Sequence, residues 1–498
     1  MIRVSNTFLS IFITFIIAIS LIAVLDWDVL SLSFLFGFIS CTILLSDVIK
    51  SARGGLNLFD PSLFIGGLCV FLLFVSPISQ VYWDFWPFLP SMGNDLLWVD
   101  LWAGLNLAGV IVYWWSKNIP FSLSKSPHRY RMKIWSIAPQ KFPIVVACFL
   151  FICFAAQVYV YISFGGISGF INSFTIRQEE GVANGDPFSG LGMLMLVAES
   201  FKFVFAVAVI YYVRISGRYR SNRAFILLML LLLVIFIFFG GLRGSRSSTL
   251  FPLFFAAGMY HFWVREITGK IIVLGLIGVL LFSTSYYWYK VAGAQGVDAI
   301  FDSSLRTDFH SDRQDATQYL IARDLGRMDF QSLALKRVYD DEFPLSYGRT
   351  YLVSLFSSIP KALIPYKPDQ ITKEKTELIY GEGSYDSSSN RQTTLVLGQA
   401  GEMLINFGWF GVLVFYFLLG RWVSWVRFLF VNLHSDDLRR FFLPVLCFMP
   451  LLFLITDMNV IVYQLVRYLA LPSLMFLFCA QISFEERKNI IKWKVSQE

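Results

Sequence analysis

The sequence predicts an all-α fold, a polytopic helical membrane protein of about 12 transmembrane helices, and three observations carry that prediction. Hydrophobic residues make up 56% of the 498 and charged residues only 15%, whereas a soluble chain carries about a quarter charged. Unbroken apolar runs such as LSIFITFIIAISLIAVL (Leu9–Leu25) and FILLMLLLLVIFIFF (Phe225–Phe239) approach the roughly 20 residues that carry a helix across a bilayer. Lys and Arg gather in alternate loops, the positive-inside pattern of multi-pass chains. A transmembrane β-barrel is excluded, because its strands alternate apolar and polar residues.

Taken in order, the first apolar segment follows Arg3 in the manner of a signal peptide. It runs from Thr7 to Leu25 and ends in DWD (Asp26–Asp28) without small residues for cleavage, so it predicts a first span. Further spans are predicted at 29–49, 61–81, 96–115, 143–164, 191–213, 224–241, 247–264, 271–289, 408–429, 441–456 and 460–480, after the first at 6–25. One set of alternate loops holds Lys50 and Arg53, Lys117 to Lys141, Arg214 to Arg223, Arg265 and Lys270, and Arg427, Arg439 and Arg440. Both termini belong to that set, which the rule places in the cytoplasm. The opposite short loops DWD, WDFWPFLPSMGND and TDMN have neither Lys nor Arg. The net charge of +7 is therefore spread along membrane-flanking loops, and predicts membrane lipids rather than nucleic acid as a partner.

This layout divides the chain into a membrane domain at 1–289, a large outside loop at 290–395, C-terminal membrane helices at 396–482 and a cytoplasmic tail at 483–498. In the loop, acidic and basic residues nearly balance, which predicts surface pairing. SDRQDATQYLIARDLGRMDFQSLALKRV (Ser311–Val338) reads as an amphipathic helix with Ser311 and Gln314 placed as a capping box. IPKALIPYKPD holds three prolines that punctuate helix, and GEGSYDSSSNRQTT reads as a polar turn region. The six cysteines all fall within predicted spans, which predicts buried thiols with neither a disulfide framework nor zinc-ligand spacing.

Two outside loops break the charge rule, one carrying Arg177 and the other Arg243 and Arg246. The second reads FFGGLRGSRSSTLFP (Phe238–Pro252). The helix that follows points its N-terminus outward, where free N–H groups and the positive dipole end favour an anion. Ser245, Ser247, Ser248 and Thr249 supply hydroxyls, and the glycines allow close backbone approach. Guanidinium forks match phosphate oxygens in pairs, so the turn suits a phosphate or diphosphate at headgroup level. The alternative is that both arginines snorkel to lipid headgroups.

Arg177 is either a second anion contact or a partner of Glu179 or Glu180. Arg467 lies inside the last span, where an unpartnered charge costs about 2.5–3.5 kcal/mol on insertion scales, so it predicts a partner or a wet cavity. Glu199 and Lys202, three apart on one helix, predict an ion pair, and Asp457 with Asn459 a capping turn. Glu402, in TTLVLGQAGEMLINFGWFG, enters the membrane from the outside face between Gly398, Gly401, Gly408 and Gly411. It reads as a general base or as a partner of Arg391. His310 is the single histidine placed outside, and reads as a surface residue.

GGLRGSRSSTLFPLFF, Arg177 in its GG-containing loop, SYGRTYLVSLFSSIPKALIPYKP and GEMLINFGWFGVLVF together resemble Wzy-type polymerases, which extend bacterial O-antigen, enterobacterial common antigen and capsule. The resemblance covers the topology of most of the chain and is motif-deep between about 165 and 415. Arg243 and Arg246 both compete for the family's Gly-x-Arg position, and Arg323–Asp324 is similar to an Arg–Asp step in the common-antigen branch. The related lipid A ligases use a histidine just after their large loop, and none stands there in this sequence.

The resemblance implies a fold like the C-type (GT-C) glycosyltransferases, in the bacterial inner membrane with the active site facing the periplasm. It implies transfer of a growing glycan from undecaprenyl diphosphate to a second lipid-linked repeat, without cofactor or metal. Donor and acceptor are both undecaprenyl-diphosphate-linked oligosaccharides, and a chain-length regulator and a flippase are implied partners. On that reading Arg177, Arg243, Arg246, Arg323 and Arg467 bind the diphosphate, and Glu402 deprotonates the acceptor hydroxyl with Asp386 or Glu382 as substitutes. Tyr339, Tyr347, Tyr351, Tyr366 and Tyr385 offer stacking faces for sugars. The alternative functions are an O-antigen ligase, another undecaprenyl-diphosphate-dependent glycosyltransferase, or a flippase for the same lipid. A flippase usually shows paired repeats and interrupted midplane helices, which the sequence does not suggest.

Overall fold

The computed structural model describes residues 6–24, 32–53, 59–86, 96–119, 131–171, 173, 190–243, 246–292, 321–322, 326–357, 359, 364, 371–386, 395–434 and 436–486. Among the described residues, helix occupies each of the twelve predicted segments. They are α1 (Asn6–Val24), α2 (Leu32–Arg53), α3 (Pro61–Val70) running through a π-helical turn into α4 (Ser76–Tyr82), α5 (Leu96–Asn118) and α6 (Phe142–Ser163). Next come α7 (Gly192–Glu199), which is continued after Ser200 by α8 (Phe201–Ser216), then α9 (Asn222–Phe238), α10 (Arg246–Trp263) and α11 (Gly269–Ala292). After the loop segment with α12 (Met328–Tyr339), α13 (Arg349–Phe356) and α14 (Thr372–Tyr380), the bundle closes with α15 (Gly398–Asn432), α16 (Leu443–Ile455) and α17 (Met458–Cys479). Among the described residues eight stretches are long and apolar enough to cross a membrane, and Leu9–Ile19, Asn222–Phe238 and Gly269–Val279 are shorter apolar helices. The protein is a polytopic helical membrane protein.

Two aromatic-rich cores hold the bundle. The first joins α2, α3, α5 and α15 through Leu44, Ile65, Trp102, Tyr113, Val412 and Tyr416. The second joins α6, α8, α9, α10 and α17 through Val146, Phe203, Phe236, Phe255, Tyr468 and Phe476. Helix α16 serves both, placing Leu454 in the first and Val445 and Met449 in the second. Five of the six cysteines are buried as expected; Cys148 instead sits on an exposed face of α6.

The expected basic loops gather at one end. Arg265 reaches the Arg220 carbonyl at 2.9 Å, Arg440 reaches that of Phe262 at 3.2 Å, and Arg214 pairs with Asp436. Lys117 pairs with Asp47, and Arg427 holds Asp60 at 2.8 Å and Ser62 at 2.9 Å. Asp60 in turn caps α3 by accepting from Ser62 N at 2.8 Å.

At the same end the structure corrects the all-α expectation. Strand β1 (Arg131–Ile137) pairs antiparallel with β2 (Ala480–Glu486), with Ile134 opposite Ser483. Ala138 N donates to Cys479 O at 2.9 Å, tying the start of α6 to the end of α17. The tail therefore starts as strand. The pairing is hidden in sequence because each half is one short strand inside a charged, membrane-flanking segment.

In the large loop Arg337 pairs with exposed Glu342 at 3.9 Å, the surface pairing its charges suggest, but other parts of the loop enter the bundle. Phe330, Ala334, Phe343 and Leu378 lie in the first bundle core. The long amphipathic helix expected over 311–338 is interrupted at Gly326 and Arg327, and residues 311–320 lie outside the described residues. A Cβ on Gly326 would stand 1.9 Å from the Ala322 carbonyl oxygen, so the backbone at this break admits only glycine. Helix α12 then buries Asp329, Gln331 and Ser332 rather than exposing them. Gln331 accepts from Trp102 Nε1 at 3.0 Å and donates to Leu397 O at 2.5 Å, fastening the loop to α5 and to the start of α15.

The glycine-flanked entry to α15 is a half-helix, 398–407, set off by a kink at Gly408 with φ 67° and ψ −164°. That region is essentially closed to residues with a Cβ, and forcing one there costs about 1–3 kcal/mol. Gly408→Ala should lose this amount in a denaturant or thermal melt in micelles, although a methyl group meets nothing within 4 Å. Equal stability of variant and parent would show that the kink is dispensable.

Candidate functional site

The half-helix 398–407 places Gln399, Glu402 and Asn406 on one face, at i, i+3 and i+7, and all three are buried. They face α13 and the start of α17. Glu402 Oε1 accepts from Thr350 Oγ1 at 2.7 Å; Oε2 accepts from Gln399 Nε2 at 3.0 Å and from Met458 N at 2.7 Å. Asn406 donates to Thr350 Oγ1 at 2.8 Å and accepts from Gly348 N at 2.9 Å. Glu402 thus occupies the first free N–H of α17, a position that favours a carboxylate. It is 0% exposed, and both oxygens are engaged. Its alternative partner Arg391 lies outside the described residues.

Asp457, expected as a cap, makes no capping bond to α17. It accepts instead from Lys375 Nζ and from Leu397 N, at 2.8 and 2.9 Å. The carboxylate is 0% exposed and the Lys375 side chain 6%. Lys375 belongs to the loop, so this buried pair joins loop to bundle across 82 residues of sequence. Sequence reading did not find Lys375, Thr350, Gln399 or Asn406, because none has a local pattern that points to its partner. Close by, Glu374 is buried with Arg349 at 3.5 Å; burial pushes its carboxyl up, partly offset by Arg349.

The tyrosines divide. Tyr339 and Tyr347 are exposed, Tyr339 with its ring 5.4 Å from Trp98, and Tyr385 is half-buried. Tyr351 is turned inward, stacked on Phe407 at 6.4 Å, so it is not the open sugar platform expected. Burial raises its phenol pKa, with Glu402 and Asp457 adding to the effect. Its hydroxyl has no hydrogen-bond partner among the described residues. Glu382 and Asp386 sit exposed after α14.

The second cluster surrounds the arginine turn. Gly241–Arg243 forms a single 3₁₀ turn and Arg246 opens α10; the side chains of Arg243 and Arg246 lie outside the described part, as do Arg177, Arg323, His310, Tyr366, Asp26 and Asp28. Beneath the turn lie Glu199 and Lys202, paired as expected at 3.9 Å, and Arg467, which pairs with the same Glu199. Arg467 therefore has its partner, and its guanidinium also lies 5.0 Å from the Tyr468 ring centre. Lys202 Nζ donates to Ser248 O at 2.7 Å, and Ser248 Oγ donates to Gly240 O at 2.9 Å. A Cβ on Gly240 would meet Lys202 Nζ at 2.6 Å and Glu199 Cδ at 3.7 Å. Tyr161 and Tyr286 donate to the carbonyls of Phe238 and Gly241. The Thr249 hydroxyl is buried there with no hydrogen-bond partner among the described residues.

A cavity about the size of one water molecule opens beside this turn, lined by Gln157, Phe170, Met195, Glu199 and Gly240 among others. Phe170 ends the GGISGF stretch that leads toward Arg177, and Leu242 packs with it, Val160 and Met195. The fold thus brings together the arginine turn, Arg467 and the approach to Arg177. The two clusters share α17, from Met458 to Arg467, nine residues or about 13 Å along its axis. No protein-family model, curated protein or solved structure matches the chain.

Proposed function

We propose that this chain is a Wzy-type polysaccharide polymerase, a metal-independent glycosyltransferase of the bacterial inner membrane with its site at the periplasmic face. The observation that supports this reading most is that Gly240, Phe170 and Glu199 line one cavity, with Arg467 paired to that Glu199 and Leu242 of the arginine turn packed on Phe170. In the proposed reaction the arginines hold the diphosphate of an undecaprenyl-linked glycan and neutralise the charge that grows as it departs. The hydroxyl oxygen of a second lipid-linked repeat bonds to the anomeric carbon while the carbon–oxygen bond to the diphosphate breaks. Its proton goes to a carboxylate, and Glu402 is the one we assign. A sugar hydroxyl that replaces Thr350 as donor to Oε1 would meet a carboxylate already held by Met458 N–H and Gln399.

The deciding experiment incubates purified full-length protein with a synthetic undecaprenyl-diphosphate-linked repeat unit and follows product size. A ladder is expected. Transfer to lipid A alone would replace the reading with a ligase, and lipid translocation in vesicles without a new glycosidic bond would replace it with a flippase. Glu402→Gln keeps the shape and removes the base, so elongation should fall at least about 100-fold while the protein stays folded. A near-normal ladder from this variant would return Glu402 to the positional role that its three hydrogen bonds already serve.

A further inference from the structure

Helix α13 is amphipathic in the reverse sense to a helix in water. Its inward face carries Thr350 and Ser354, both buried, with Ser354 Oγ bonded to Thr350 O at 2.6 Å. Its outward face carries Leu352, Leu355 and Phe356, which are 64%, 61% and 41% exposed. A water-bathed surface helix puts its apolar stripe on the core and its polar residues outside. The inversion has a local cause, because the inward face has the polar work of binding Glu402 and Asn406. That cause does not explain the outward leucines.

The apolar face is not isolated. Gly348, just before α13, lies against the Phe407 ring, which is itself partly exposed and is followed past the kink by Trp409 and Phe410, 63% and 62% exposed. These lie within the longest apolar stretch among the described residues, Gly398–Phe430. The outward face of α13 therefore continues the belt that a bilayer covers, with a Trp where aromatic side chains favour the interface. Arg349, half-exposed at the head of the helix, stands where a cation reaches headgroups.

We propose that α13 is an interfacial helix: it lies in the membrane–water boundary with Leu352, Leu355 and Phe356 in acyl chains, and moors the loop to the bilayer beside the Gly408 kink. The occupant of this face is bulk lipid, and the proposal holds whichever reaction the protein performs.

Single cysteines at Leu352, Leu355, Phe356 and, as a water-facing reference on the same loop, Tyr380 (66% exposed) test it in the full chain. Cys148→Ser first removes the exposed native thiol; the other five are buried. Each site carries a nitroxide label in lipid nanodiscs, and collisions with oxygen, which concentrates in lipid, are compared with those of a water-soluble nickel chelate. Oxygen should dominate at 352, 355 and 356 and the chelate at 380, a reversal of the ratio. Chelate-dominated labels on α13 would overturn the proposal. So would labels shielded from both probes, which would mean that protein covers the face, a second copy or another partner. The three α13 positions report independently, so one variant that fails to fold leaves the test intact.

Discussion

Replacing Arg243 and Arg246 together by alanine should reduce polymer formation by about 100- to 10,000-fold while leaving single repeats on their lipid. The figure follows from the contact each guanidinium is proposed to make. A hydrogen bond to a charged group is worth about 1.5–3 kcal/mol, and each 1.36 kcal/mol lost from transition-state binding is tenfold in rate. Two such losses multiply to the extent that each guanidinium makes its own contacts to the diphosphate. The double lysine variant keeps the charge and loses the planar fork, so it should recover part of the activity and little of the chain length. The readout is the product ladder from a defined lipid-linked repeat, with normal lipid-linked substrate supply as control. Long chains of ordinary distribution from the double alanine variant would remove the arginine turn from the chemistry.

Arg467 is a poorer test of the same idea. It pairs with buried Glu199, so Arg467→Ala removes a cationic partner of that carboxylate and leaves it Lys202 at 3.9 Å, which disturbs the bundle as well as the site. Loss of activity there would not separate phosphate binding from folding. The turn is a cleaner place to test, because Tyr161, Tyr286 and Ser248 hold its backbone carbonyls whatever side chains it carries.

The second large effect concerns the fastening of the loop. Lys375→Met should destabilise the protein by about 3–5 kcal/mol, because among the described residues Asp457 keeps only Leu397 N–H and remains shut off from water. Asp457→Asn should cost a similar amount by leaving the ammonium unpaired. Combining them should restore most of the loss, since a buried pair replaced as a pair carries little net penalty. Thermal melts give the magnitudes, and limited proteolysis within the loop of the full chain shows where the structure opens. Single variants within 0.5 kcal/mol of the parent, the scatter of ordinary surface changes, would show that Lys375–Asp457 is not what docks the loop. Because the same region presents Glu402, elongation should fall with loop docking and return in the double variant.

The twelve helical segments were legible because a long apolar run is a local property: residues in one stretch of chain decide it without help from elsewhere. The glycines around Glu402 were legible in the same way, but which of them carries the kink, Gly408, was not. The Glu199–Lys202 pair follows from helical periodicity alone, whereas Arg467 joining that pair required α17 to lie against α7. Strand pairing between Arg131–Ile137 and Ala480–Glu486, and the inward turn of Tyr351, were out of reach for the same reason.

By itself, then, the amino-acid order determined that this protein is a bundle of membrane-class helices with basic loops collected at one end, since hydropathy and charge act residue by residue. Tertiary structure decided which buried ions meet, which face of α13 turns outward, and that Lys375 finds Asp457. Those are contacts between segments far apart in the chain, and their energies exist only once packing has excluded water from both partners.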